Sequence, residues 1–200
     1  MLYKLTDQNM QTYGGFQWEL GVTYALPEKQ EPELCSTGVF HVYENLNLAF
    51  LLNPIHAGFV NPRVFSANGE IVVSDWGKAG VFELTLAKEL DVPSWVGSDI
   101  DTDVRIMFGI LCAESVLHIY ENGYESDVPR KAIAAARNYL NTKTAADAAD
   151  AAAAAARTAA YAAAADAAAA AAYAARAAAA ADLVIDFGEL ADKAVSEIVL

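Results

Sequence analysis

The sequence predicts an α+β fold. It comprises a small mixed or antiparallel sheet domain with a packed helix, then a long alanine-rich α-helix and a short C-terminal helix. Three observations predict it. Short apolar–polar alternations, punctuated by glycine, proline and asparagine, fill the first hundred residues. A run of helical spacing follows from 104 to 122. Then 38 residues, 145–182, contain 29 alanines and neither glycine nor proline.

The elements follow in order. Residues 3–6 alternate and read as a strand. Gly14-Gly15 marks a turn, and 16–20 and 22–26 alternate again around Gly21, where a bulge is expected. Residues 39–43 form another strand. Residues 44–52 suit a short helix that Asn53-Pro54 should close, because proline disfavours helical backbone in the residue before it. Residues 64–67 and 70–73 flank Asn68-Gly69, the pair best suited to a type I′ turn, so a hairpin is expected there. Residues 81–90 read as one long strand. In the helix over 104–122, Val104, Met107, Phe108, Leu111, Cys112, Ser115 and Ile119 repeat at three and four residues, with Asp101 or Asp103 as cap and Gly123 just past the end. This helix is expected to pack on the sheet, which places a domain boundary at 127/128. Residues 126–129 open a second helix. Thr144 and Asp147 are spaced as a capping box for the alanine-rich helix. Leu190, Ala191, Ala194, Val195 and Ile198 give a C-terminal helix over about 186–199 one apolar stripe.

At 1.5 Å per residue the alanine run spans about 57 Å as a helix. At 100° per residue its nine other residues all fall in one arc, leaving an alanine-only face about 160° wide. Ala145, Ala152, Ala156, Ala163, Ala167, Ala174 and Ala178 lie on a seam of 11-residue repeat, the period of a nearly straight helix. Such a seam admits a closely packed partner helix. A second copy, giving a homo-oligomer, and residues 183–200 folding back both meet that need. Drift of low-complexity alanine remains the simpler alternative.

The net charge is −13, from 26 acidic and 13 basic residues. That excludes a protein that grips nucleic-acid phosphates, which needs a basic footprint. Residues 1–130 carry 18 acidic and 7 basic side chains and residues 131–200 carry 8 and 6, so the acidity is assigned to the first part. Residues 1–7 do not begin a signal peptide. Asp147, Asp150, Arg157, Asp166 and Arg176 interrupt the alanine run at a cost no bilayer span accepts. A soluble, cytoplasmic protein away from membranes is expected.

No phosphate-binding glycine loop, nucleophile elbow or Cys-x-x-Cys pair is present, so no catalytic residue, cofactor or metal is assigned. Cys35 lies in a loop, and Cys112 reads as a buried small hydrophobe. His56 reads as a loop residue without a partner and His118 as a partly buried helix residue. His41, inside an apolar strand, is a candidate for orienting a ligand or for the core. Asp99, Asp101 and Asp103 are read as capping groups in preference to a cation site.

The stretch Tyr3-Lys4-Leu5-Thr6-Asp7-Gln8-Asn9-Met10 followed by Gly14-Gly15-Phe16-Gln17-Trp18-Glu19-Leu20-Gly21, with Cys35, Gly38–Glu44 and Leu51–Ala57, resembles a family of uncharacterised bacteriophage proteins. These also carry an alanine-rich helical C-terminus, and the resemblance implies a viral origin. A second resemblance is to the ADP-ribosyltransferase-like fold, with Lys4, Gly21–Tyr24, His41, Ala49-Phe50 and Glu83 at its slots and its Ser-Thr-Ser triplet missing. It implies a nucleotide or NAD near His41 and Lys4. The alanine-rich run, bearing Thr158, is similar to the ice-binding helices of fish, although threonine does not recur every 11 residues.

The resulting expectation is a non-enzymatic phage accessory protein. An acidic module engages a host protein, one of a defence system included, and the alanine helix builds an oligomer. Candidate binding residues are Lys4, Trp18, His41, Tyr43 and Glu83. The alternatives are a nucleotide-binding ADP-ribosyltransferase-like protein and an ice-binding or purely structural helix.

Overall fold

The computed structural model of the chain describes residues 1–26, 31–123, 127–143 and 184–199. It has the α+β architecture expected, in two compact units, 1–96 and 97–200.

The first unit contains nine strands, one α-helix and a 3-10 turn at Tyr13–Gly15 among its described residues: β1 Leu2–Thr6, β2 Gln11–Thr12, β3 Phe16–Gln17, β4 Thr23–Ala25, β5 Phe40–Val42, α1 Leu46–His56, β6 Arg63–Asn68, β7 Ile71–Ser74, β8 Ala79–Val81 and β9 Glu83–Leu90. All strand ladders are antiparallel. One sheet runs β1-β6-β9-β4, another β5-β8-β7, and β2 pairs with β3 alone. The outer edge of β1 takes up Tyr43, just past β5, through N–H to carbonyl bonds in both directions at 2.8 and 2.9 Å.

Asn68-Gly69 does not make a hairpin. β6 pairs with β1 and β9, while β7 pairs with β8 in the other sheet, so the pair carries the chain from one sheet to the next. Gly69 serves a close approach: a Cβ there would stand 2.7 Å from the Glu83 carbonyl oxygen and 3.2 Å from Val81. The long strand expected over 81–90 is likewise two strands, β8 and β9, with Phe82 at the change of sheet. Periodicity of two persists across such a corner, so alternation alone does not reveal it. The hairpin that forms in this stretch joins β7 to β8. Asp75 closes it, its Oδ1 accepting from the N–H groups of Gly77 (2.8 Å) and Lys78 (2.9 Å).

The expected stop at Asn53-Pro54 is overturned as well. α1 runs through Pro54 to His56. Asn45 caps its start, accepting from Leu48 N–H at 2.8 Å. Its end is set by Asn53, whose carbonyl accepts from Ala57 and Gly58 and whose side chain bonds both ways with the Phe59 backbone, and by Gly58 at φ +65°. These bonds outweigh the single amide that proline removes.

Leu2, Trp18, Val42, Phe65, Ala67, Ala79, Val81, Leu84 and Leu86 form one core cluster. Leu48–Leu52 of α1 are buried as well. Trp95, 1% exposed, donates from its indole to Asn47 at 2.8 Å.

The second unit contains α2 Asp101–Gly123, α3 Val128–Thr142 and α4 Phe187–Val199. α2, expected with the sheet, falls in this unit and packs against α3 and α4. It buries Val104, Met107, Phe108, Ile110, Leu111 and Cys112. Burial pushes the Cys112 thiol pKa well up. α2 and α3 are antiparallel, as their ion pairs show. Lys143 meets Asp103, Arg137 grips Glu114 with two bonds of 2.9 and 2.8 Å, and Arg130 meets Glu121 at 2.6 Å. Arg137 also stands 3.7 Å from Glu197 of α4. α2 starts at Asp101, so Asp101 and Asp103 lie in its first turn. Asp101 accepts from Gly97 N–H at 2.6 Å and pairs with Arg105. His118 is exposed, not partly buried. The alanine run, with Ala145, Ala152, Ala156, Ala163, Ala167, Ala174 and Ala178, lies outside the described residues.

Candidate functional site

Strand alternation turns Lys4 to the same face of β1 as Leu2, into the core cluster of the first unit. Its ammonium donates to the His41 carbonyl at 2.7 Å and lies 5.2 Å from the Trp18 ring. Among the described residues no carboxylate pairs with it. Burial lowers its pKa to about 8.

Trp18 is 1% exposed. Phe16, Tyr24 and Phe40 surround it with ring centroids at 4.8, 5.2 and 5.1 Å, and its indole donates to Thr12 at 3.0 Å. Lys4 and Trp18 thus form a cation–aromatic floor beneath β5.

His41 and Tyr43 lead from that floor to a polar cluster. His41 Nε2 accepts from the Cys35 backbone N–H at 3.0 Å, and Cys35 sits at φ +63°. The Lys78 ammonium donates to Cys35 Sγ at 2.9 Å. The Tyr43 hydroxyl is 3.2 Å from His56 Nδ1, and the two rings stack at 5.9 Å and 18°. Trp76 follows, 6.3 Å from the His56 ring. Burial first, then the positive charge of Lys78, lowers both His41 and His56 to about 4. Burial, then the Asp75 carboxylate, pushes the Tyr43 hydroxyl pKa well up. At neutral pH the cluster therefore presents two uncharged imidazoles, a phenol and a lysine.

Glu83 does not join them. It is exposed on β9, across the strand from buried Leu84. The slots of the ADP-ribosyltransferase-like resemblance thus fall in three settings: a buried amine, a half-buried imidazole and an exposed carboxylate.

Sequence reasoning missed Cys35, His56, Asp75, Trp76 and Lys78. His56 has a partner, Tyr43, because α1 continues far enough to carry it there. The one available signal was Asp75-x-Gly77-Lys78, an Asx turn that fixes where Lys78 emerges. Among the described residues no group of three or more His, Cys, Asp or Glu is placed to hold a metal ion, and no helix is long and apolar enough to cross a membrane.

Two family models match the chain. Residues 1–97 match a domain of unknown function, DUF7666, and residues 101–184 match a family described as "Imm-5 like putative immunity protein". The two matches meet close to the division between the compact units. No curated protein and no solved structure matches the chain.

Proposed function

We propose that the chain is a non-enzymatic interaction protein, a phage accessory protein whose helical half works as an immunity-type module. It binds and restrains a partner protein in the host cytoplasm, a component of a defence system being the partner class, and it assembles as a homo-oligomer through the alanine-rich run. The observation that carries this reading is the similarity of residues 101–184 to an immunity-protein family. The charge of −13 supports it, since an acidic surface is attracted to basic protein surfaces and repelled by nucleic acid.

The test uses the full chain. Size-exclusion chromatography with light scattering is expected to give a multiple of 21.3 kDa. Affinity capture from host lysate is expected to yield a partner that rebinds the chain when purified and loses its activity on binding. A strict monomer whose captured proteins fail to rebind overturns the proposal.

A further inference from the structure

The polar cluster of the first unit has no part in the proposed interaction, and its geometry is specific. His41 Nε2 is occupied as an acceptor by the Cys35 N–H, so the neutral ring carries its proton on Nδ1. The Tyr43 hydroxyl lies 3.2 Å from His56 Nδ1; with the hydroxyl as donor, that ring carries its proton on Nε2. Among the described residues no buried side-chain nitrogen or oxygen lacks a partner, and neither of these N–H groups has a bonding partner there. Lys78 gives one of its three protons to Cys35 Sγ and has two left. Lys78 lies close enough to act on both imidazoles and His41 close enough to act on His56, so donors from α1, β5 and the β7–β8 turn share one cluster, with the Trp76 ring 6.3 Å from His56.

We propose that His41, His56 and Lys78 form a binding site for a phosphate group, whose three terminal oxygens accept from His41 Nδ1–H, His56 Nε2–H and the Lys78 ammonium. Asp75 is the opposing charge. Its Oδ1 is engaged by the amides of its own turn, so it shapes the site while weakening the anion's hold. Lys4 adds positive charge from below but keeps its bond to the His41 carbonyl. Neutral imidazoles suit the role, because they donate without adding a charge that would have to be desolvated in the empty site.

Imidazole resonances of the full chain, followed by NMR at pH 7 and constant ionic strength, test this. Inorganic phosphate is expected to shift both histidines saturably, and Lys78→Ala to weaken binding about tenfold or more. Lys78→Arg should stay within about threefold of the parent, and Asp75→Asn should bind more tightly. Adenosine monophosphate distinguishes the source. Tighter binding than phosphate, with quenching of Trp76 fluorescence, assigns the group to a nucleotide, and equal affinity assigns it to free phosphate. Shifts that never saturate with either probe overturn the proposal. So does binding unchanged in a Lys78→Ala protein that melts at the parent temperature. If Lys78→Ala fails to fold, Asp75→Asn decides, since unchanged affinity there excludes an anion at this place.

Discussion

In residues 1–96 a lysine amine lies in the core with no carboxylate partner among the described residues, and two histidines are kept neutral by burial, whereas the described helices of the second unit carry a row of ion pairs between α2 and α3. The net charges do not make this difference. Residues 1–96 carry 11 acidic and 5 basic side chains, net −6, and residues 97–200 carry 15 and 8, net −7. Divided at the compact units, the acidity is shared almost evenly, against the expectation that it belongs to the first part. What differs is solvation. Desolvated groups make the sheet unit sensitive to pH, whereas screened pairs make the helical unit tolerant of single changes.

The largest effect should come from Lys4. Lys4→Ala leaves a cavity and an unpaired carbonyl at His41, and is expected to cost about 2–4 kcal/mol in urea unfolding. Lys4→Met keeps the stem and removes the buried charge, so it should stay within about 1 kcal/mol of the parent at pH 7. A large loss in Lys4→Met would show that the bond to His41 matters more than the charge.

Close packing comes next. Gly80→Ala places a Cβ 2.7 Å from Val39 Cγ2 and 2.9 Å from Val73 Cγ1, and is expected to cost about 1–3 kcal/mol. A neutral result would mean that β5 and β7 can move apart.

The pH dependence sharpens the contrast. The Lys4 pKa is lowered in the fold, to about 8 from 10.5, so its own contribution to stability should rise through that window, opposed towards the alkaline end by the Cys112 thiol and the Tyr43 hydroxyl, whose pKa values burial raises. His41 and His56 are lowered to about 4 from 6.5, so stability should fall as pH drops from 6.5 towards 4. Thermal melts of the parent and of Lys4→Met separate the two windows: between pH 8 and 10.5 the parent should gain on the variant, and the acid loss should be the same in both.

In the helical unit Arg137→Ala removes the paired bonds to Glu114 and the link to Glu197, and about 1 kcal/mol is expected. Lys131→Ala breaks an exposed pair with Asp127 and should stay within about 0.5 kcal/mol. Both losses should shrink in high salt.

Elements built from local pattern were legible. β1, β5 and α2 lie where alternation and helical spacing placed them, and the antiparallel sheet with helices is the architecture the composition implied. The corners were not legible. Asn68-Gly69 has hairpin chemistry, yet β6 finds better partners in β1 and β9, and tertiary pairing overrides turn preference. The candidate site was half legible. His41 and Tyr43 stand out as polar groups in an apolar strand, but their partners depend on distant segments: Lys78 on a turn, Cys35 in a loop, and His56 beyond a proline that should have ended its helix. No spacing rule joins residues across such separations.

The pairing of β1 carries a consequence for how the chain acquires its structure. Leu2 pairs with Ala67, and β6 pairs in turn with β9 as far as Leu90. During synthesis the first strand therefore has no ladder to join until some sixty residues have followed it, and the sheet is not bounded until β9 emerges. The α2–α3 hairpin closes between near neighbours. High contact order in the sheet and low contact order in the α2–α3 hairpin predict slow, late consolidation of the sheet and rapid formation of the hairpin.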